Sequence, residues 1–89
     1  MSTKLDLSTY SDTSNALRKI LIKQRHELDY SQRHLAKKLN VSQSVISKIE
    51  TGARRLDVLE FMTYAHVLGV TVDSVMDTIQ NALEAPSEQ

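Results

Sequence analysis

The chain has 89 residues, of which 25% are charged, with a formal net charge of zero and no cysteine. This length suits one small domain, and the lack of cysteine excludes disulfide scaffolds, cysteine-based zinc sites and thiol nucleophiles. No apolar run approaches the roughly 20 residues that span a bilayer, and the polar N-terminus lacks the apolar segment of a signal peptide. We therefore expect a cytoplasmic protein with no membrane contact.

The charges are segregated along the chain. Residues 17–55 contain ten Lys or Arg and three acidic residues, whereas residues 56–89 contain six acidic residues and no Lys or Arg. A basic segment of this kind is typical of a surface for a polyanion, with the acidic end kept away from it. An ordinary solvated helix surface is the alternative, and charge alone does not separate the two.

The first predicted element is a helix that follows an arm. Residues 1–13 are rich in Ser and Thr and lack periodicity, which predicts a flexible N-terminal arm. The helix should begin after the polar cluster at residues 12–14, and Asp29 should end it because Asp tolerates left-handed backbone geometry. Its inner face is predicted from residues spaced by three and four: Leu17, Ile20, Leu21, Gln24 and Leu28.

Two short helices with the same polar beginning come next. Ser31 and Ser42 each precede a glutamine and a short amphipathic stretch. Both serines are good N-caps, so we predict helices over residues 32–39 and 43–51. Gly52 is the natural stop after the second of them.

These two helices and the tight turn between them predict a helix-turn-helix over residues 32–51. Such a motif presents its second helix to the major groove of DNA, N-terminus first. We expect Val41 and Ile46 to fix the crossing angle from inside. Gln43, the first exposed residue of the second helix, can offer two hydrogen bonds to an adenine edge, and Gln32 can touch a phosphate and brace Gln43.

A fourth helix should begin at a cap formed by Asp57, with Glu60 three residues later as a variant of the capping box. Gly69 should end this helix. Met62, on this helix, and Met76, on the next, are predicted to lie in the core.

A fifth helix is predicted over residues 72–84 and completes an all-α domain over residues 14–84, with a tail at residues 85–89. Its apolar stripe continues beyond what a small domain needs, which suggests a partner. We expect this stripe to form a dimer interface: Val75, Ile79, Ala82 and Leu83.

The stretch from Leu17 to about Met76 resembles a known family of DNA-binding domains. The segments that carry the likeness are SQRHLAKKLNVSQSVISKIETG, the basic loop ARRL, HVLGV and TVDSVM. They are similar to the lambda-repressor-like family, also called Cro/CI or XRE, and imply its five-helix fold. The resemblance also implies a regulator of transcription that binds double-stranded DNA and needs no cofactor.

The resemblance further implies roles for individual residues. Base contacts would come from the second helix of the motif: Gln43, Ser44, Ser47 and Lys48. Phosphates would be held at the two helix starts and in the basic loop: Gln32, Arg33, Ser42, Arg54 and Arg55. Arg25 and Glu50 match a pair that forms an internal salt bridge in the family, so Glu50 is not expected to be a catalytic acid.

The remaining polar residues do not indicate catalysis or metal binding. His26, His34 and His66 do not share metal-ligand spacing, and the serines have no His and acid in a plausible arrangement. Two glycines are too few for a glycine-rich phosphate loop. We therefore expect no enzyme activity and no metal site.

The sequence leaves several functions open. The leading hypothesis is a repressor that binds an inverted-repeat operator as a homodimer. An antitoxin that binds a toxin and regulates its own operon would use the same domain, and so would the controller of a restriction–modification system or of a phage switch. A protein-interaction module without DNA function is a further alternative, against which the basic segment and Gln43 argue.

Overall fold

Five helices make up the part of the chain that the computed structural model describes, which is the backbone of residues 7–84 and the side chains of residues 12–81. The helices are α1 (Leu7–Glu27), α2 (Gln32–Leu39), α3 (Gln43–Thr51), α4 (Val58–Leu68) and α5 (Val72–Glu84). No strand occurs between residues 7 and 84, so the predicted all-α fold with five helices is confirmed.

A residue in the left-handed conformation lies just after each of the first four helices. The backbone angle φ is 59° at both Asp29 and Asn40, 86° at Gly52 and 76° at Gly69. Helices commonly end this way, because a left-handed residue turns the chain and lets its N–H group bond the last carbonyls. The resulting connections are short, so consecutive helices turn sharply and pack on one another.

Side chains fix the starts of three helices by accepting hydrogen bonds from backbone N–H groups. The Ser31 hydroxyl accepts one from the third residue of α2 at 2.9 Å, and Thr71 does the same for α5 at 3.1 Å. At α4, Asp57 and Glu60 form the predicted capping box, with bonds of 2.8 and 3.1 Å. Each satisfied N–H group stabilises its helix by roughly 1 kcal/mol.

The core lies where α1 meets the other helices. α1 packs against α3, α4 and α5, and α2 packs against α3 and α4. Buried apolar side chains from all five helices form this core: Leu21, Leu35, Ala36, Ile46, Ile49, Phe61, Tyr64, Ala65, Leu68, Val75 and Ile79. Because Ile46 and Ile49 are anchored in it, the rotation of α3 about its own axis is fixed.

The N-terminal segment differs from its prediction. α1 begins at Leu7, so the predicted flexible arm is wrong for residues 7–13, which are helical. The physical reason is that this segment contains neither Gly nor Pro, and Ser, Thr and Asp cost a helix only a fraction of a kcal/mol each. Residues 1–6 and the predicted tail at residues 85–89 lie outside the described part of the chain.

Apolar residues are also distributed differently than predicted. Val41, Met62 and Met76 were expected inside, but all three are exposed. Conversely, Val75 and Ile79 are only 2% and 6% exposed because α5 packs against α1. The prediction that these two residues form a dimer interface is therefore wrong, and the side chains of Ala82 and Leu83, predicted with them, lie outside those described.

Candidate nucleic-acid interface

α3 buries one side and presents a polar side to solvent. Ile46 and Ile49 point into the core. The residues predicted to contact bases follow one another at spacings of one, three and one on the other side: Gln43, Ser44, Ser47 and Lys48. Three of them are exposed and Ser47 is partly buried. The helix thus offers hydrogen-bonding groups along one face of a rod whose size fits the major groove.

Gln43 is held from behind by a chain of hydrogen bonds. Its amide Nε2 donates to Gln32 Oε1 at 3.4 Å, and Gln32 Nε2 donates to Glu50 Oε1 at 2.9 Å. The first bond is long and therefore weak, so Gln43 can exchange it for the edge of a base. Gln32, which was predicted to hold a phosphate and brace Gln43, makes the bracing contact in this structure.

The chain of hydrogen bonds ends on a buried ion pair. Arg25 binds Glu50 with two hydrogen bonds, of 2.7 and 3.0 Å, and also donates to the backbone oxygen of Tyr30 at 2.8 Å. The pair therefore connects α1, the connection after it and the end of α3. Burial, followed by the nearby charge of Glu50, raises the pKa of the Tyr64 hydroxyl, which stays neutral beneath this site.

The start of α3 differs from the start of α2. Ser42 has the extended backbone of an N-cap, but its side chain makes no capping hydrogen bond. Its hydroxyl lies 3.2 Å from that of Ser44 instead, so the prediction of a side-chain cap is wrong here. The N–H group of Val45 instead donates to the backbone oxygen of Ser42 at 3.1 Å. The N-terminal end of α3 still carries a partial positive charge, which suits a phosphate oxygen. Arg33, at the start of α2, is exposed.

In the basic loop after α3, Arg54 is not placed as predicted. The guanidinium of Arg54 binds the carboxylate of Glu60 at 2.8 and 3.2 Å and the backbone oxygen of Arg55 at 3.1 Å. The hydrogen bond and charge of Glu60 raise the pKa of Arg54, and the hydrogen bonds from Arg54 and from the Asp57 backbone lower the pKa of Glu60. Arg54 was predicted to hold a phosphate, but in this structure it holds Glu60.

A further arginine, which the sequence analysis did not single out, lies beside this loop. Arg18 of α1 bonds to Ser14 at 2.8 Å and to Asn15, and its guanidinium lies against Gly52. A side chain at Gly52 would come within 2.9 Å of it, in addition to the strain of a positive φ. The guanidinium of Arg18 thus lies beside the exit from α3. Only the packing of α1 beside the loop reveals this contact, for which the residues around Arg18 carry no local signal.

Other kinds of site find no support among the described residues. Within them, no three His, Asp or Glu side chains are grouped so that they could hold a metal ion. No helix between residues 7 and 84 is long and apolar enough to cross a membrane.

Comparison with known proteins agrees with this geometry. A family model described as helix-turn-helix matches residues 21–75. Among solved structures, an XRE-family like protein from Pseudomonas syringae pv. tomato str. DC3000 is similar, with a TM-score of 0.80 and 29% sequence identity over 84% of this chain and 92% of that one. A search of curated proteins found no match. The chain therefore belongs to the XRE family of helix-turn-helix proteins and is a DNA-binding regulator of transcription.

Proposed function

We propose that the protein is a transcriptional repressor that reads an inverted-repeat operator as a homodimer. The observation that carries this proposal is the exposed polar side of α3, with Gln43 braced by Gln32 at its N-terminal end. A glutamine in this position can donate to and accept from an adenine edge at once. The anchored Ile46 and Ile49 keep that face turned outwards.

Phosphate contacts would set the register of α3 on the duplex. The candidates are the positive helix starts at Gln32 and Ser42 together with the basic side chains of Arg33 and Arg55. With about four phosphate contacts in each subunit, a dimer would lose affinity with a log–log salt slope of roughly −7. Such contacts strengthen binding to every sequence, whereas Gln43 would distinguish one sequence from another.

Repression would follow from occupancy. Two copies bound to half-sites about 34 Å apart would cover one face of a promoter and exclude RNA polymerase from it. A repressor of this kind would bind its operator in the cytoplasm.

The test is selection of bound duplexes from random DNA. We expect the recovered sites to contain two inverted half-sites with centres about 10 base pairs apart. Arg33→Ala is the matched control, since losing a phosphate contact should weaken binding while leaving the recovered motif unchanged. Recovery of no motif, or of single or directly repeated sites, would contradict the proposal.

A further inference from the structure

A cavity lies between the first half of α1 and the loop that follows α3. Its volume of about 440 Å³ falls within the range of roughly 300–1,000 Å³ in which proteins bind small molecules. The wall on α1 runs from Thr13 to Leu21, and all of it except Leu21 precedes residue 21, where the match to the helix-turn-helix family model begins. The helix-turn-helix segment alone would therefore not form this cavity.

The floor of the cavity is apolar. Leu21 of α1 and Ile49 of α3 are buried, at 1% and 4% exposure, and Leu17 and Leu56 are half-buried beside them. Leu17 and Leu21 are four residues apart in α1, so they lie on one face of that helix. A ligand that covers these side chains removes apolar surface from water, so the floor favours an apolar ligand body.

Every charged side chain that lines the cavity is basic. The three are Arg18, Arg54 and Arg55, and no Asp or Glu between residues 12 and 81 belongs to the lining. A guanidinium offers N–H groups in a planar fork that matches the two oxygen atoms of a carboxylate. The ligand that complements the cavity is therefore an anion with an apolar body.

Arg18 has the capacity to bind this anion. Its guanidinium donates to Ser14 and to Asn15, both of which are neutral, and none of the ion pairs between residues 12 and 81 includes it. Because a guanidinium has five N–H donors, these bonds leave donors for a ligand. Arg54, by contrast, is already paired with the carboxylate of Glu60.

We propose that the cavity binds a small organic acid, whose carboxylate pairs with Arg18 and whose apolar body lies on Leu17, Leu21 and Ile49. A phosphate group of DNA could reach the arginines at the mouth of the cavity. It carries no apolar body, however, and would leave the floor uncovered. An organic acid satisfies the charge and the floor at once.

The bound acid would weaken the binding of DNA, a consequence that rests on the proposed function. Arg55, a candidate phosphate contact, lines the same cavity, and so does Gly52 at the exit from α3. A carboxylate held here adds a negative charge beside the loop, which opposes the approach of a phosphate. The two ligands therefore compete, and the acid should lower the affinity for a duplex by about fivefold or more.

The test is a titration of the full chain, labelled with ¹⁵N, with octanoate and with phenylacetate, followed by amide shifts in NMR spectra. Probes of this size should bind with a dissociation constant of about 1 mM. We expect saturable shifts at Leu17, Arg18 and Gly52, but not at Val58 and Leu59, which are apolar and exposed on α4. Octanol lacks the charge and acetate lacks the apolar body, so each should bind at least about tenfold more weakly than octanoate.

The decisive variant is Arg18→Gln, which removes the charge and should weaken octanoate binding at least about tenfold. Lys19→Gln removes the same charge from the next, exposed position of α1 and is the matched control, with unchanged binding expected. Thermal midpoints check that both variants are folded. Arg18→Lys keeps the charge without the planar fork, so its affinity for octanoate should lie between those of the Arg18→Gln variant and the unmodified chain.

Several results would overturn the inference. They are the absence of saturable shifts with either acid up to about 10 mM, octanol binding as tightly as octanoate, and equal affinity of the Arg18→Gln variant and the unmodified chain for octanoate. Shifts centred on Val58 and Leu59 would also overturn it, because they would show unspecific contact with exposed apolar side chains.

Measurement of duplex binding separates this inference from the proposed function. Octanoate should weaken binding of the unmodified chain, whereas acetate at the same concentration, which controls for ionic strength, should not. The effect of octanoate should be lost in Arg18→Gln. Unchanged duplex affinity with the cavity occupied would overturn the competition. If the chain binds octanoate in the cavity but binds no duplex at all, the proposed function fails and the acid site stands.

Discussion

Two Arg–Glu pairs flank α3, and they differ in almost every physical respect. The Arg25–Glu50 pair lies behind the helix, where the two side chains are 10% and 7% exposed. The Arg54–Glu60 pair lies at the surface beyond the end of the helix, where both side chains are 39% exposed. The same two residue types, at almost the same distance, thus occupy a buried and a wet environment.

The difference indicates different roles. The buried guanidinium of Arg25 bonds to Glu50 and to the backbone of Tyr30, and Glu50 in turn holds Gln32. Breaking this pair would leave a buried charge without its partner, so the pair is a permanent part of the fold. The exposed pair is screened by water and salt, so a phosphate can compete with Glu60 for Arg54. We infer that the Arg25–Glu50 pair positions the exposed polar side of α3. The Arg54–Glu60 pair controls whether Arg54 is available to bind a phosphate of DNA.

The largest effect is expected from Arg25→Ala. Removing the guanidinium leaves Glu50 buried and unpaired, which should lower the free energy of unfolding by about 3–5 kcal/mol, measured by urea denaturation. Arg33→Ala, which removes the same charge from an exposed position, is the control and should change stability little. If the two variants were equally stable, the distinction between a structural and an exchangeable pair would be wrong.

A smaller effect, of opposite sign, is expected from Glu60→Gln. Glutamine can still complete the capping box of α4, but it no longer neutralises Arg54. The released guanidinium should gain a phosphate contact, so affinity for random DNA should rise and the salt slope should steepen by about one for each subunit.

The control for that experiment is Asp77→Asn, which removes one negative charge from α5, remote from the loop. It should leave the salt slope unchanged, because only the global charge is altered. An identical slope for Glu60→Gln and the unmodified chain would show that Arg54 is not a phosphate ligand.

The smallest effect concerns pH. The hydrogen bond from Arg54 lowers the pKa of Glu60 below its ordinary value near 4.5. The contribution of the pair to stability is therefore complete above about 4.5 and is lost as the pH falls through the lower value of the folded state. In acid, the thermal midpoint of the unmodified chain should fall slightly more steeply than that of Glu60→Gln. Parallel curves would mean that the pair contributes nothing to stability.

Features that depend on neighbours in the sequence could be predicted well. The bounds of α2 and α3 follow from the serines before them and from the left-handed residues Asn40 and Gly52 after them, which are local signals. The capping box of α4 is local too. The Arg25–Glu50 pair spans 25 positions and was implied only by the family resemblance.

Features that depend on distant packing could not be predicted. Periodicity showed that α5 carries an apolar stripe, but it does not tell what covers a stripe, and α1 covers Val75 and Ile79. Met62 is exposed, and its exposure likewise depends on which elements pack over α4, which the local pattern does not reveal. The sequence predicted Glu60 as part of a helix cap. Nothing in the local pattern indicates that its carboxylate also accepts hydrogen bonds from the guanidinium of Arg54.

The most direct test of the account is the specificity of the Gln43→Ala variant. Its affinity should be compared with that of the unmodified chain on the selected operator and on random duplexes of equal length, at one salt concentration. We expect a loss of about 1–3 kcal/mol on the operator, or about 5- to 150-fold, and almost no change on random DNA. Equal losses on both kinds of DNA would contradict the claim that the N-terminal end of α3 reads the bases.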